Sequence, residues 1–317
     1  MKAGEFITAF APASIGNLGV GFDMLGLALV GVGDRVSARR IAQPGVRIAE
    51  VHGMDDEIHP YLAPIASENT ASIAAKSLWD TTGTDDGIEL IIRKGVPLQS
   101  GMGSSASSAV AAVVAVNALL GQSLPNDQLL MHALEGEKYA SGGLHADNVA
   151  PSLLGGMVLC PQSLLPRTIS LSVPSDSCSI LLHPELQVST AESRKGLARG
   201  YTMQQWLQQQ GYLAAFVAAC QQDDHELIKA SLKDVIIEPQ RADSIPCFAA
   251  VKESALNAGA FGCSLSGSGP SIFALSQTAD AANIAMAMEQ QCRGFGYDCQ
   301  TWISRMDAPG AQVEDRA

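Results

Sequence analysis

The pattern of hydrophobic and polar positions mixes strands and helices from the start of the chain. In the segment GIELIIRK, residues 87–94, alternate apolar side chains share one face, whereas Glu89 and Arg93 lie on the other. This period of two is typical of a half-buried β-strand. Further strands are predicted at residues 6–10, 156–160, 179–183 and 271–276.

Helical spacing is found in several of the other segments. A run of small residues after the string VPLQSGMGSS predicts a helix that ends before Gly121. Another helix is expected to begin after Pro125, and Leu130, Leu134 and Glu137 share one of its faces. Further helices are predicted at residues 203–222, 225–232, 248–258 and 279–292.

The length of 317 residues predicts about two domains. The Pro/Ser-rich stretch at residues 161–177 is the best candidate for the boundary between them. We therefore expect an N-terminal domain at residues 1–162 and a C-terminal domain at residues 163–317. Residues 306–317 are polar and charged, so we expect them to form a loose tail.

Composition and charge narrow the class of ligand. With 47% hydrophobic and 16% charged residues, the chain is able to bury a core, which excludes wholesale disorder. The net charge of −12 excludes the basic surface of a nucleic-acid binder and the Lys/Arg-rich segments that hold proteins on anionic membranes. An anionic ligand must therefore be bound locally, by backbone N–H groups, a metal ion or single arginines.

The cysteines and the N-terminus indicate a cytoplasmic protein. The 7 cysteines are odd in number and no two have Cys-x-x-Cys spacing, which argues against a disulfide framework and a zinc site. Free thiols are typical of the reducing cytoplasm. The N-terminus has no clean apolar stretch before Pro12, so we expect no signal peptide, and the longest apolar run, residues 109–121, is too short to span a bilayer.

The segment PLQSGMGSSASS, residues 97–108, places two glycines and five serines between a predicted strand and a predicted helix. Glycines allow backbone N–H groups to approach an anion, and the start of the helix adds further donors. Ser104 or Ser105 also offers a hydroxyl to a cation. The alternative is a serine-capped helix after a glycine turn. A Walker A loop is excluded because the chain contains no Gly-Lys pair.

Two other regions are candidates for chemistry. Glu137 lies on the apolar face of its helix, where a carboxylate needs a partner such as a metal ion; the alternative is a helix-end residue paired with Lys138. His145, Asp147 and Asn148 fall in a glycine-bounded loop, SGGLHADNVAPSLLGG, that suits a small substrate or forms a simple Asx turn.

Asn17 and Asp23 interrupt an apolar, glycine-rich segment, PASIGNLGVGFDMLGLAL. A buried aspartate there needs a cation, and an ammonium group is a natural candidate; the alternative is a turn-capping residue. A second Gly/Ser loop, SLSGSGPSIFAL, precedes a predicted strand. It either contributes to a phosphate site or simply makes a tight turn.

Taken in order, PASIGNLGVGFD, PLQSGMGSSAS and SLSGSGPSIFAL resemble the three motifs of the GHMP kinases. This family is named for galactokinase, homoserine kinase, mevalonate kinase and phosphomevalonate kinase. The match runs from about residue 8 to residue 275. Within the family, the strings IGNLGVGFDMLG, GLHADNVAPSLLGG and DVIIEPQRADSIP are most similar to the branch that phosphorylates homoserine.

The resemblance implies an α+β fold with an N-terminal domain like ribosomal protein S5 domain 2 and a ferredoxin-like C-terminal domain, with ATP between them. It implies Mg²⁺-dependent transfer of phosphate from ATP to the hydroxyl of L-homoserine, giving O-phospho-L-homoserine on the path to threonine. The sequence leaves the oligomeric state open, with a homodimer as one option.

The resemblance also implies the site residues. Those for Mg²⁺ are Ser105 and Glu137, which with Asn148 form the catalytic set. Those for homoserine are Asn17, Asp23, His145, Asn148, Arg194 and Arg241, with Asp23 binding the ammonium group and the arginines the carboxylate. Those for ATP are Asn69, Pro97, Leu98, Gln99, Ser100, Gly101, Met102, Gly103, Ser104, Ser105, Ala106 and Ser107.

The resemblance places Asn148 where some relatives carry an aspartate that takes the hydroxyl proton. An amide is not a base at neutral pH, and a loose transition state does not require early deprotonation. We therefore expect Asn148 to orient the hydroxyl without a general base, with Asp147 as a structural partner of His145.

Two rival functions stay open at this point. A GHMP kinase for another hydroxylated metabolite, such as mevalonate, needs no anion for an ammonium group, so Asp23 argues against it. A non-catalytic nucleotide-binding regulator on the same fold would have lost the metal ligands, and both Ser105 and Glu137 are present.

Overall fold

A computed structural model describes residues 4–62, 64–121, 123–198 and 200–316. The strands are β1 (Ile7–Gly16), β2 (Leu25–Ile41), β3 (Gly45–His52), β4 (Gly87–Arg93), β5 (Met157–Leu159), β6 (Ile169–Leu171), β7 (Ser177–Pro184), β8 (Gly262–Leu265), β9 (Ile272–Gln277), β10 (Cys299–Arg305) and β11 (Gln312–Arg316). The helices are α1 (Thr70–Trp79), α2 (Ser104–Leu119), α3 (Asn126–Ser141), α4 (Ala146–Leu154), α5 (Thr190–Lys195), α6 (Met203–Gln222), α7 (His225–Ser231), α8 (Glu238–Arg241), α9 (Phe248–Asn257) and α10 (Ala281–Gly294).

The first sheet has seven strands. Its main path runs β11-β1-β2-β4-β3, and β5 pairs with both β2 and β6. All of these pairs are antiparallel except β3 with β4. The 17-residue β2 holds the sheet together, because one part of it pairs with β5 and another part pairs with β4 while β1 runs along both.

The first sheet and helices α1 to α4 form what we call the first lobe. Helix α2 is at its centre, and 12 of the 16 residues of α2 are buried. A helix enclosed on all sides has no polar face, which explains its composition of alanine, valine and serine. Its small side chains allow α1 and α3 to approach closely. At Gly136 of α3, a Cβ atom would lie 2.4 Å from the Thr70 carbonyl oxygen and 3.1 Å from the Ala109 Cβ. This close crossing sets the position of the next residue, Glu137.

The second sheet has the order β10-β7-β9-β8, with every neighbouring pair antiparallel. Helices α9 and α10 cover one face through Val251, Ile284 and other buried side chains. A separate apolar cluster joins this sheet to the first lobe and includes Met102, Phe216 and Phe273. The two lobes therefore share an apolar core next to the loop that precedes α2.

The structure confirms the predicted α+β class and most of the predicted elements. The strand predicted at residues 87–94 is β4, the helix of small residues is α2, and the helix after Pro125 is α3. The helix predicted at residues 203–222 has those bounds in α6. Among the described residues, none of the helices combines the length and the apolar character needed to cross a membrane.

Two expectations about the secondary structure are wrong. The C-terminal tail is not loose, because β11 forms the edge of the first sheet by pairing with β1, and Met306 is buried. Asp147 and Asn148 do not lie in a loop, because α4 begins at Ala146, directly after His145. Pro151 lies inside α4 and cannot donate to the Asp147 carbonyl. The backbone of Gly26 packs against that carbonyl, where a Cβ atom would be only 1.7 Å from the oxygen.

The predicted division at residues 162/163 stays a prediction. Two strands of the first sheet, β6 and β11, follow residue 162 in the chain. The chain therefore returns to the first sheet twice after that point.

Candidate active site

The loop between β4 and α2 has the geometry of an anion-binding turn. Gly101 and Gly103 adopt left-handed φ angles of 76° and 68°, which side chains disfavour. Gly103 is the N-cap of α2 and provides no side-chain cap. The first N–H groups of α2 have no partner within the helix, and the positive end of its dipole lies at the same point. We call residues 97–108 the phosphate loop.

A second loop, residues 266–271, packs directly on the phosphate loop. The Ser266 hydroxyl donates to the Gly101 carbonyl at 2.6 Å, and the Ser271 N–H donates to the Ser100 carbonyl at 3.1 Å. The Gly267 N–H donates to the Gly16 carbonyl at 3.1 Å. The three glycine-rich segments of the sequence therefore meet at one point between the two sheets.

These segments border a cleft of about 500 Å³. Many of the predicted ATP residues line it, namely Asn69, Leu98, Gln99, Ser100, Gly101, Gly103, Ser104 and Ser105. Glu137 and Asn148 line it as well. Met102 is instead buried in the core between the lobes, and the Ser107 hydroxyl donates to the Ala11 carbonyl at 2.7 Å. Ala106 is fully buried, and Pro97 lines a neighbouring cavity.

The predicted metal pair is in direct contact. The Ser105 hydroxyl donates to Glu137 Oε2 at 2.6 Å, and Glu137 is only 7% exposed. Burial raises the pKa of Glu137 from 4.5 to about 7, although the hydrogen bond from Ser105 opposes the change. The alternative of a solvated carboxylate paired with Lys138 is therefore wrong.

Asn69 begins α1 at the edge of the cleft. Its side-chain oxygen accepts from the Ala71 N–H at 3.0 Å, which makes it an N-cap. Its amide lines the cleft at the same time, so capping and ligand contact are both open to it.

Sequence reasoning missed a buried ion pair behind the phosphate loop. Lys94 and Asp34 form a salt bridge, and their side chains are 5% and 0% exposed. Lys94 Nζ also donates to the Ser104 carbonyl at 2.9 Å and to the Ser108 hydroxyl at 2.8 Å. Asp34 Oδ1 accepts from the Gly95 and Val96 N–H groups. The pair therefore fastens the end of β4 to the start of α2. The strand that carries Asp34 was not predicted, so nothing indicated its burial.

Asp147 and Asn148, at the start of α4, lie next to the glycine-rich segment that follows β1. Asp147 Oδ2 accepts from the Asn17 N–H at 3.1 Å, and Asn148 Oδ1 accepts from the Ser14 hydroxyl at 2.9 Å. Burial, assisted by the nearby charge of Asp23, raises the pKa of Asp147 to about 7. Asp147 is therefore a partner of Asn17, and the predicted pairing with His145 is wrong.

His145 instead faces Asp23, with Nδ1 3.5 Å from Asp23 Oδ2. Asp23 accepts a bidentate pair of hydrogen bonds from Arg194 at 2.7 and 2.8 Å. These bonds raise the pKa of Arg194, whereas burial lowers the pKa of His145. The cation expected beside Asp23 is thus Arg194 in this structure.

Arg194 and Arg241 flank the same aromatic ring, with their guanidinium carbons 5.4 and 5.2 Å from the centroid of Phe22. Arg241 also donates to the Gly267 carbonyl at 2.9 Å, and so does the Asn17 amide at 2.8 Å. Burial lowers the pKa of Arg241. The predicted substrate residues therefore form one cluster, which joins the cleft through Asn17, Asp147 and Asn148.

Within the described residues there is no group of three or more His, Cys, Asp or Glu side chains able to hold a metal ion. One buried carboxylate beside one hydroxyl still fits Mg²⁺. This ion prefers oxygen ligands and commonly takes one or two protein carboxylates, keeping waters and substrate phosphates as its other ligands.

Comparison with known proteins gives a consistent result. The family model of the GHMP kinases N terminal domain matches residues 69–156, and the GHMP kinases C terminal model matches residues 203–294. The chain is 45% identical over 307 residues to a homoserine kinase of Xanthomonas campestris pv. campestris, covering 96% of this chain and 93% of that protein.

A solved structure of homoserine kinase from Cytophaga hutchinsonii superposes with a TM-score of 0.93 at 40% identity, covering 99% of both chains. The mevalonate kinase of L. major, solved with R-mevalonate, gives a TM-score of 0.69 at 16% identity and shares the fold. The three motifs, the fold and these full-length similarities agree, and the chain belongs to the GHMP kinase family.

Proposed function

We propose that this protein is an ATP-dependent L-homoserine kinase that makes O-phospho-L-homoserine for threonine biosynthesis. The observation that carries the proposal is that the predicted metal-binding residues lie beside the charged residues predicted to bind homoserine. The contact of Ser105 with Glu137 lies on the phosphate loop, and the charges of Asp23, Arg194 and Arg241 lie next to it. The names of the Xanthomonas and Cytophaga relatives support the same assignment.

The phosphates of ATP would bind at the start of α2. Backbone N–H groups from Gly103 to Ala106 supply donors there without a net positive charge, which suits a chain of net charge −12. The adenosine part would extend toward Asn69 and Leu98, which line the same cleft.

Mg²⁺ would be held by Glu137 and Ser105, and it would neutralise charge on the phosphate oxygens. The hydrogen bond between these two residues brings two oxygen donors together before any ion binds. Because burial raises the pKa of Glu137 to about 7, the site has a carboxylate that benefits from a cationic partner.

Homoserine would bind at the cluster around Phe22. It carries both an ammonium group and a carboxylate, and the site offers Asp23 for the first and Arg194 with Arg241 for the second. Binding would exchange the internal pair of Asp23 with Arg194 for two pairs with the substrate. A substrate with only one of these charges would leave either Asp23 or Arg194 unpaired, which is costly at a partly buried site.

Phosphoryl transfer depends mainly on positioning and on neutralising charge. Asn148 lines the cleft between the phosphate loop and the cluster around Phe22, so it is placed to orient the substrate hydroxyl. His145 and Asn17 would complete the contacts to homoserine. We extend the proposal to a cytoplasmic location, which the free thiols of the chain support.

The test is an assay that couples ADP release to a colour change, run over a panel of hydroxylated metabolites. We expect turnover with L-homoserine and ATP, and loss of turnover when EDTA removes Mg²⁺. Turnover of mevalonate without turnover of homoserine would contradict the proposed substrate. Absence of turnover with every alcohol, together with tight ATP binding, would favour the non-catalytic regulator.

A further inference from the structure

The Asn148 side chain is held where three separate segments of the chain meet. Ser14, in β1, is fully buried and its hydroxyl donates to Asn148 Oδ1 at 2.9 Å. The backbone N–H of Ser14 donates to the Met102 carbonyl of the phosphate loop at 3.0 Å. A single serine therefore connects the phosphate loop, β1 and α4 at the amide proposed to orient the substrate hydroxyl.

The other end of the amide faces Asp147. Asp147 Oδ2 lies 3.4 Å from Asn148 Nδ2 and accepts from the Asn17 N–H at 3.1 Å. An oxygen that accepts a backbone N–H stays an acceptor when the carboxyl group is protonated, because the proton then resides on the other oxygen. The amide atom facing Asp147 is therefore the NH₂ group in both protonation states.

Two glycines enclose the amide in this orientation. A Cβ atom at Gly16 would lie 2.7 Å from Asn148 Nδ2 and 2.9 Å from Oδ1. A Cβ atom at Gly103 would lie 2.4 Å from the Ser14 hydroxyl and 3.0 Å from Asn148 Oδ1. Oδ1 is thus covered by Ser14 and Gly103, and the second hydrogen of Nδ2 is the polar group that the amide offers to the cleft.

We infer that Ser14 and Asp147 are positioning residues that fix the Asn148 amide as a hydrogen-bond donor to the substrate hydroxyl oxygen. This inference rests on the proposed function. One lone pair of the hydroxyl oxygen accepts from Asn148 and another forms the new bond to the γ-phosphorus. The bond from phosphorus to the β,γ-bridging oxygen breaks, and the hydroxyl proton passes to an oxygen of the transferred phosphoryl group.

Asn148→Asp replaces the donor NH₂ group by an acceptor oxygen while the volume of the side chain stays nearly constant. The aspartate offers only acceptor oxygens when ionised and places one of them against Asp147 Oδ2. We expect kcat at pH 8 to fall by at least about 100-fold, the scale seen when one preorganised donor is removed from an active site. An Asn148→Asp variant with wild-type kcat would overturn the inference, because it would show that an acceptor or a base serves equally well.

Ser14→Ala tests the positioning role, with Ser152→Ala as its matched control. Ser152 is also fully buried, and its hydroxyl links α4 to β1 by donating to the Pro12 carbonyl at 2.7 Å instead of to the Asn148 side chain. We expect Ser14→Ala to lower kcat about tenfold, as one hydrogen bond is lost, with the KM for ATP changed less than twofold. Ser152→Ala should keep kcat within twofold of the wild type. Ser14→Thr, which keeps the hydroxyl, should retain most of the wild-type kcat. Equal effects of the two alanine variants on kcat would overturn the role of Ser14.

Hydrogen exchange of the Asn148 side-chain amide in ¹⁵N-labelled protein gives a readout without turnover. We expect slow exchange in the wild type and faster exchange in Ser14→Ala and Asp147→Ala. Equally fast exchange in all three proteins would overturn the inference even if homoserine proved not to be the substrate. Absence of homoserine turnover by the wild type would instead count against the proposed function.

Discussion

Replacing Glu137 by glutamine is expected to stabilise the protein while it removes activity. Glu137 is 7% exposed, and burial raises its pKa from 4.5 to about 7. Its position on the closely packed α3 leaves only a small part of the side chain exposed, at the wall of the cleft. Glutamine has nearly the same size and an oxygen that still accepts from the Ser105 hydroxyl, but it carries no charge.

The size of the effect follows from the change in pKa. An acid whose pKa is higher in the folded state contributes stability that is fully present below the unfolded pKa and is lost as pH rises through the folded pKa. For a change in pKa from 4.5 to about 7, the free energy of unfolding falls by about 3 kcal/mol in all, since each factor of ten in proton affinity is about 1.4 kcal/mol. Between pH 5.5 and pH 8, the free energy of unfolding of the wild type should fall by about 2 kcal/mol relative to that of Glu137→Gln.

Urea denaturation followed by circular dichroism in EDTA, at several pH values from 5.5 to 8, measures this difference. Glu135→Gln is the control, because Glu135 lies on the same helix but is exposed. Adding Mg²⁺ should then raise the stability of the wild type and leave Glu137→Gln unchanged, and turnover of the variant should be lower by roughly 10²–10³. A stability difference that does not change with pH would refute the reasoning from burial.

Three further changes test other parts of the site. Arg241→Ala should raise the KM for homoserine by roughly 10- to 150-fold, because a charged hydrogen bond to a carboxylate contributes about 1.5–3 kcal/mol; an equal rise in the KM for ATP would indicate structural damage instead. Asp23→Asn should raise the KM for homoserine much more than that for 4-hydroxybutanoate, which has no ammonium group, and parallel changes would contradict its role. Lys94→Met should lower the free energy of unfolding by about 3–5 kcal/mol, because it leaves the carboxylate of Asp34 buried without its cation; a loss below about 1 kcal/mol in urea denaturation would contradict this.

The sequence predicted those parts of the site that depend on local pattern. The phosphate loop was visible because glycines and serines fall between a strand of period two and a helix of small residues. The burial of Glu137 was visible because it falls at helical spacing from Leu130 and Leu134, both of which are buried. These signals span only a few residues each, so they do not depend on knowing the rest of the fold.

Contacts between distant parts of the chain were not predictable in the same way. Lys94 and Asp34 are 60 residues apart and meet only because β2 pairs with β4. Ser14 and Asn148 are 134 residues apart, and nothing in the neighbourhood of either indicates the other. The prediction of a loose C-terminal tail was wrong for the same reason. The polar pattern of β11 is that of an edge strand, and its partner, β1, lies near the opposite end of the chain.

The groups that are hardest to satisfy within the protein are those that the proposed ligands would satisfy. Burial raises the pKa of Glu137 to about 7, and in the described part of the chain the buried Nε atoms of Arg194 and Arg241 have no hydrogen-bond acceptor. Each of these groups costs stability in the protein alone. A core chosen for stability would carry apolar side chains instead, as α2 does from Ala109 to Leu119, where its buried side chains are alanine, valine and leucine. Their concentration around one cleft therefore supports the proposal that this region binds charged ligands, at the expense of the stability of the fold.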